Sequence, residues 1–495
     1  MNLDQAEPRH DAQIAHLPEP PSLRTYRARQ APRLPAAPRT LAETGLDEAF
    51  VAALLLKSML AHGRSSLTEI VARHGLPPAV LDEVLTFLAC ERLIEVTHRG
   101  LSDIDLTLRL TELGRALALE EKARNSYCGP APVTHEAYVA SVTAHSVRHV
   151  TIARADAHAA FDGIVVEPAM LDAAAASLNA GRPLLIYGPA GSGKTYLAER
   201  LGSLLRGNVP IPYAIYASGE VIKIHDPLVH VDAPRAADGA NGDRRWRLCR
   251  RPIVLSGGGA RPLVHVDAPR AADGANGDRR WRLCRRPIVL SGGELTLAEL
   301  DLRRDDSTGY YQAPPHVKAN TGIYIVDDLG RQRIAPRDLL NRWLLPLDRN
   351  VDQLTFASGV RLEMPFDVWP VFSSNLTPAQ FSDDAFLRRL GSKLHVGPLP
   401  AGRYRDVYDA SCAALALSSD ASTFDYLLQH LHGPTRMPFL ACYPGDLLRL
   451  VAASVRYRGD APTVTPQALH EAWRSFFGSA PDEPPFNPPD ADRDW

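Results

Sequence analysis

Eight consecutive residues carry the plainest chemistry in this chain: Gly188-Pro189-Ala190-Gly191-Ser192-Gly193-Lys194-Thr195. They fit G-x-x-x-x-G-K-[ST], a spacing that turns backbone N–H groups toward nucleotide phosphates. Glycine is needed there because the turn uses backbone angles that a side chain resists. Lys194 supplies positive charge for the β- and γ-phosphates, and the Thr195 hydroxyl suits Mg2+. ATP and Mg2+ are therefore the expected ligands. The flanks agree: Leu184-Leu185-Ile186-Tyr187 reads as a buried strand, and residues 196–205 read as an amphipathic helix.

Three further stretches could complete such a site. Gly322-Ile323-Tyr324-Ile325-Val326-Asp327-Asp328 is an apolar run ending in two acids. Asp327 is placed to hold Mg2+ through water, and Asp328 to polarise an attacking water. Without such a role, two carboxylates at the end of a buried strand are costly. Trp369-Pro370-Val371-Phe372-Ser373-Ser374-Asn375 repeats the form with an amide at its end. Asp384-Ala385-Phe386-Leu387-Arg388-Arg389-Leu390 puts two guanidinium groups at a helix end. Such groups stabilise charge on a transferring phosphoryl group.

The elements that must position these residues come from a chain of 495 residues with a formal net charge of −2. That length allows several domains. The charge gives no bulk reason to expect nucleic acid or an anionic membrane as a partner. No apolar run is long enough to span a bilayer, and a polar, proline-rich stretch follows Met1, so a cytoplasmic location is expected. The six cysteines include no Cys-x-x-Cys pair, and free thiols are expected.

Residues 1–40 lack apolar periodicity and are expected to be disordered, as is the acidic, proline-rich stretch 479–495. Residues 41–125 read as a small α+β unit. Thr44 and Asp47 suggest a variant capping box before a helix bearing Leu46, Phe50 and Leu54. Ser66 and Glu69 suggest a second box, with Gly75 ending that helix. Pro77-Pro78 opens a third helix, and strands follow near 93–96 and 106–110. This order, closed by Leu110-Thr111-Glu112-Leu113-Gly114-Arg115-Ala116-Leu117, resembles a winged-helix domain. Its third helix has Asp82 and Glu83 but no Lys or Arg, so docking to protein is expected over reading DNA. Residues 126–155 read as a linker, 156–400 as the nucleotide domain and 401–478 as a helical lid.

Within the nucleotide domain, residues 227–258 and 262–293 are the same 32-residue string. Solenoid repeats keep a pattern and vary elsewhere, so identity this complete marks a recent tandem duplication or an error in the sequence record. Two identical segments compete for one register, so one copy is expected in the ancestral position and the other as a protrusion or a swapped alternative. Each copy reads as strand, polar turn and basic strand, with Arg244, Arg245, Arg247, Arg250 and Arg251 in the first. A solvated hairpin is expected.

Taken in order, the phosphate loop, the double acid, Asn375 and the arginine pair resemble Walker A, Walker B, sensor 1 and the arginine finger of AAA+ ATPases. The resemblance spans 156–478. It implies an α/β fold of the P-loop NTPase type with a C-terminal helical lid, here preceded by the winged-helix-like domain. It also implies ATP hydrolysis and a ring of identical subunits, expected to be a hexamer. Arg388 or Arg389 of one subunit would complete the next subunit's site, and the work would be remodelling of a protein client or adaptor. Residues 354–364 alternate around Ser358-Gly359 and read as a hairpin. Its place before the Asn375 strand resembles MoxR-type and magnesium-chelatase-type members. Three departures stand out. Asp328 replaces a usual Glu, Lys194 and Asp327 are far apart in sequence, largely through the duplication, and Gly445 follows Pro444 where an arginine is usual, leaving Arg449 one turn on as either a substitute nucleotide contact or a plain surface arginine. Gly309-Tyr310-Tyr311 suits either a polypeptide-gripping loop or core packing. An ATP-switched DNA-associated regulator and a weakly hydrolysing scaffold are the alternatives.

Overall fold

The computed structural model describes residues 34–99, 106–233, 277–334, 336–381 and 384–478. Its central sheet has five parallel strands, in the order Ile288–Ser291, Ile323–Val326, Trp369–Ser374, Leu184–Tyr187 and Ser392–His395. Apolar side chains are needed on both faces of such a sheet, and these short runs supply them. Leu184, Ile186, Ile325 and Val371 pack with the helices Pro168–Asn179 and Lys194–Leu201. Leu185, Tyr324, Val326 and Phe372 pack on the other face with Pro336–Arg349, whose Trp343 stacks on Tyr324 at 5.4 Å. The strand that ends before Asn375 therefore lies between the strand feeding the glycine loop and the strand ending before Asp327.

A second, mixed sheet runs Arg303–Arg304, Tyr311–Gln312, Glu220–Lys223, Ala214–Ala217 and Val133–Thr134. The last of these corrects the expected linker at 126–155. Val133, Tyr138 and Val142 share an apolar surface buried with Ile215, Ile222 and Val317, so this stretch folds as an edge strand and the helix His135–Ala144. Part of the expected disorder is corrected too. Leu34 packs on the same core, and Pro35 O accepts the Asp278 N–H at 2.8 Å. Residues 1–33 and 479–495 lie outside the described residues.

The N-terminal unit comprises Glu48–His62, Leu67–His74, Pro78–Cys90, Glu112–Arg124 and a sheet ordered Ser65–Ser66, Leu106–Leu110, Ile94–Arg99. The Ser66–Glu69 capping box forms, and Gly75 closes its helix at φ 67°. The Thr44–Asp47 box does not form. Thr44 Oγ1 donates to Leu41 O at 2.6 Å and accepts from the Leu46 N–H at 3.1 Å, while Asp47 makes no side-chain cap bond. This unit is seated on the second sheet: Phe50 and Tyr216 rings lie 4.4 Å apart, and Ser126 Oγ donates to Thr308 O at 2.8 Å. Arg280 fills the junction. It pairs with buried Asp278 at 2.9 Å and donates to Thr44 O at 3.2 Å and Pro132 O at 3.4 Å.

The duplication is absorbed by splicing. The first copy supplies residues 227–233, in which Val229 is buried and His230 Nε2 donates to Lys318 O at 2.8 Å. The second copy supplies Trp281–Arg285 and Ile288–Ser291. The halves meet as Ala233 N–H donates to Leu283 O at 3.0 Å and Arg285 N–H to Val231 O at 2.8 Å. One composite copy thus fills the position. Its basic strand is not a solvated hairpin: Trp281–Arg285 pairs with Asn208–Pro212, and Arg286 Nη1 donates to His145 O at 2.9 Å. The first copy's arginines lie outside the described residues.

The hairpin expected at 354–364 spans Val351–Thr355 and Arg361–Pro365, with Gly359 at φ 83° in its turn. After the central sheet, the helices Ala401–Ala414, Ala421–Tyr426, Cys442–Arg458 and Pro466–Phe477 enclose a separate core around Tyr404, Leu427, Val451 and Trp473.

Candidate nucleotide site

The loop follows from its glycines. Gly188, Gly191 and Gly193 have φ of 151°, 79° and 97°, angles that L side chains rarely adopt. A Cβ at Gly188 would meet Val396 O, and one at Gly191 would lie 2.6 Å from Cys442 Sγ. Pro189 and Ala190 complete the turn, and Ser192 N–H donates back to Pro189 O at 3.3 Å. The helix Lys194–Leu201 then starts with unsatisfied N–H groups directed at the loop, the arrangement that binds anions.

The side chains predicted from sequence converge at this point. Thr195 Oγ1 donates to Asp327 Oδ2 at 2.8 Å. Lys194 Nζ donates to Pro189 O at 2.9 Å and to Asn375 Oδ1 at 2.7 Å. Asn375 Nδ2 donates to Asp328 Oδ1 at 3.1 Å. Burial lowers the Lys194 pKa, an effect opposed by Asp328 and Asp327 and reinforced by Arg331. Two oxygens in the cluster are buried without a partner: Asp327 Oδ1 and Ser192 Oγ. A hard cation beside a triphosphate fits this donor set, because Mg2+ takes oxygen ligands and keeps several waters. Among the described residues no cluster of three or more His, Cys, Asp or Glu offers a separate metal site.

The contacts that support the loop and the double acid gave no sequence signal. Asp328 sits in the left-handed region at φ 51°, which Asp tolerates better than most residues. Gln332 braces that turn: its Oε1 accepts from Gly330 N–H at 2.8 Å, and its Nε2 donates to Asp327 O at 3.0 Å. Leu329 N–H donates to Ser373 O at 2.7 Å, tying the turn to the neighbouring strand. Cys442 N–H donates to Gly191 O at 3.0 Å, so the C-terminal helices rest directly on the loop. Burial, then Asp446, pushes the Cys442 thiol up to about 11. Gln332 is one polar residue in a loop, and Cys442 lies some 250 positions from its contact; neither has a local pattern to betray it.

Other predicted residues fall elsewhere. Arg388 is exposed. Arg389 is engaged on its own subunit, donating through Nε and Nη2 to Asp348 at 2.7 and 2.5 Å. Arg449 is exposed and pairs with Asp446 on its own helix. Tyr311 is buried, its ring 5.0 Å from Phe356 and its hydroxyl accepting from Ala357 N–H at 3.1 Å. Tyr310 packs 5.6 Å from Tyr127. The pair thus serves packing, because the second sheet and the N-terminal unit close over it.

Comparison with known proteins adds little to this geometry. A family model described as a domain of unknown function, DUF8689, matches residues 400–475. No curated protein matches the chain. Among solved structures, the Thermotoga maritima RuvB Holliday junction branch migration motor is similar at 11% identity and a TM-score of 0.33, over 69% of this chain and 76% of that one. NtrX from Brucella abortus in complex with ATP is similar at 14% identity and a TM-score of 0.37, over 69% of this chain and 61% of that one. The chain therefore spans less than two thirds of NtrX. Likenesses at this level carry no weight for function beside the geometry of the site itself.

Proposed function

We propose that this chain is a Mg2+-dependent ATPase of the AAA+ type that works as a ring of identical subunits and remodels a protein partner. The observation that carries the hydrolytic reading is the Lys194–Asn375–Asp328 chain of hydrogen bonds lying beside the Thr195–Asp327 bond. The loop N–H groups and Lys194 would hold the phosphates, and Thr195 and Asp327 would hold Mg2+. When bound, the cation neutralises charge on the β- and γ-oxygens. Asn375 fixes Asp328 by Oδ1, which leaves Oδ2 to take the proton of the attacking water.

Arg388 is our choice for the neighbour's site, because Arg389 is held by Asp348. The Cys442–Gly191 contact couples the loop to the C-terminal helices, which we assign as the lid; a hinge between the two would transmit hydrolysis. We assign the N-terminal unit as the winged-helix-like client dock. The exposed side of Pro78–Cys90 presents Asp82, Glu83, Thr86 and Phe87, a surface suited to protein rather than phosphate. No helix among the described residues is long and apolar enough to cross a membrane.

Steady-state phosphate release tests the hydrolytic reading. Wild type should turn over, and Lys194→Ala should fall to background. Asp328→Asn should bind ATP yet lose turnover by at least about a hundredfold. Equal rates in wild type and Lys194→Ala would refute it.

A further inference from the structure

A third orphaned oxygen lies level with Asp327 on the adjacent strand. Ser373 is 0% exposed, and its Oγ makes no hydrogen bond. Burying a hydroxyl unpaired is costly, so a strand position filled this way calls for a reason. The neighbouring serine shows the contrast. Ser374 Oγ donates to Leu329 O at 2.5 Å and accepts from Leu376 N–H at 3.0 Å. The same strand end therefore satisfies one hydroxyl from protein groups and leaves the other without any.

Register shows where Ser373 lies. The strands are parallel and Val326 pairs with Phe372, so Asp327 and Ser373 come next at the same level. Side chains alternate between faces along a strand. Val326 and Phe372 belong to the Trp343 face, whereas Ile325 and Val371 belong to the face under the helix Lys194–Leu201. Ser373 continues that second face, level with Ile186 of the loop strand. Thr195 reaches Asp327 from the same side. Two unpartnered oxygens, Asp327 Oδ1 and Ser373 Oγ, are thus neighbours beneath the first turn of that helix.

We propose that Ser373 is a further residue of the divalent-cation site, its hydroxyl binding the hydration shell of the cation held by Thr195 and Asp327. This rests on the Mg2+–ATP reading above. A serine hydroxyl both donates and accepts, which suits a water polarised by Mg2+, and Mg2+ keeps several waters in protein sites. Ser373 acts through that water and is a positioning residue, not a catalytic one.

Ser373→Ala in the full chain tests the assignment. ATP affinity is measured in EDTA and across a Mg2+ titration, alongside the melting temperature of the protein without nucleotide. Loss of a group that hydrogen-bonds a metal's ligands weakens metal affinity about 10–100-fold, so the Mg2+ concentration for half-maximal enhancement should rise about tenfold. Affinity in EDTA should not change. The melting temperature should hold or rise, since an unpaired hydroxyl is removed. Ser373→Thr should restore the wild-type Mg2+ requirement. An unchanged Mg2+ requirement in Ser373→Ala, or a fall in melting temperature together with affinity in EDTA, overturns the proposal. If wild type binds no ATP at any Mg2+ concentration, the nucleotide reading falls as well, which distinguishes the two failures.

Discussion

Removing 35 residues from the duplicated region should leave the fold intact and make it more stable. The copies begin at Pro227 and Pro262, so any 35-residue deletion starting between Pro227 and Gly259 yields the same polypeptide. The connection from Ala233 to Gly277 would shrink from residues 234–276, 43 in all, to 8. Those 8 suffice. Ala233 is hydrogen-bonded to Leu283, six positions from Gly277, so the ends lie at most roughly 25–27 Å apart, and the nine links of an 8-residue connection reach roughly 30–32 Å. Loop-closure entropy changes by about 0.6 kcal/mol per doubling of length, so the shortened chain gains about 1.5 kcal/mol. If the melting unit is about 200 residues, the midpoint rises by roughly 3–4 °C. The assay is thermal and urea unfolding of the full chain and the deletion variant, with ATP binding as a check on the site. A lower midpoint, or loss of ATP binding, would show that the removed residues are required and that one composite copy does not fill the position.

Three other expectations follow from particular contacts. Asp278→Ala leaves Arg280 charged and buried, and should cost about 3–5 kcal/mol in urea unfolding; a loss under 1 kcal/mol would contradict the junction described. His74, His230 and His432 are each pushed down to about 4, chiefly by burial, from an ordinary value of 6.5. Since the unfolded chain binds the extra protons, their contribution to stability is complete above about pH 6.5 and is lost as pH falls toward 4; the urea midpoint should drop between pH 7 and 5. Arg388→Ala should lose phosphate release, and mixing it with Lys194→Ala, which carries an intact Arg388, should restore part of it; no recovery would contradict action across a subunit boundary.

The parts legible in the sequence are those fixed by local chemistry. A strand, three glycines, Lys194 and Thr195 are adjacent in the chain, and the strand order brings Asp327, Asp328 and Asn375 to them. The Ser66–Glu69 cap was legible because both partners lie within one turn. The second sheet was not: its strands are two to four residues long and join Val133–Thr134 to Ala214–Ala217, too far apart for any periodicity to register. Arg280 lies in the repeat read as a solvated hairpin, because Thr44 and Pro132, from distant parts of the chain, are its partners only in the folded molecule. Tyr311 was ambiguous for the same reason, its neighbour Phe356 lying on the hairpin. Ser373 carried no sequence signal, because an unpartnered hydroxyl depends on the packed sheet around it.

The most direct measurement is calorimetric titration of ATP into wild type and Asp327→Asn, each with Mg2+ and with EDTA. Wild type should bind more tightly with Mg2+, and that gain should vanish in Asp327→Asn while binding in EDTA persists. A wild-type protein that ignores Mg2+, or takes up no ATP, would contradict the assignment of Thr195 and Asp327 as the cation's seat.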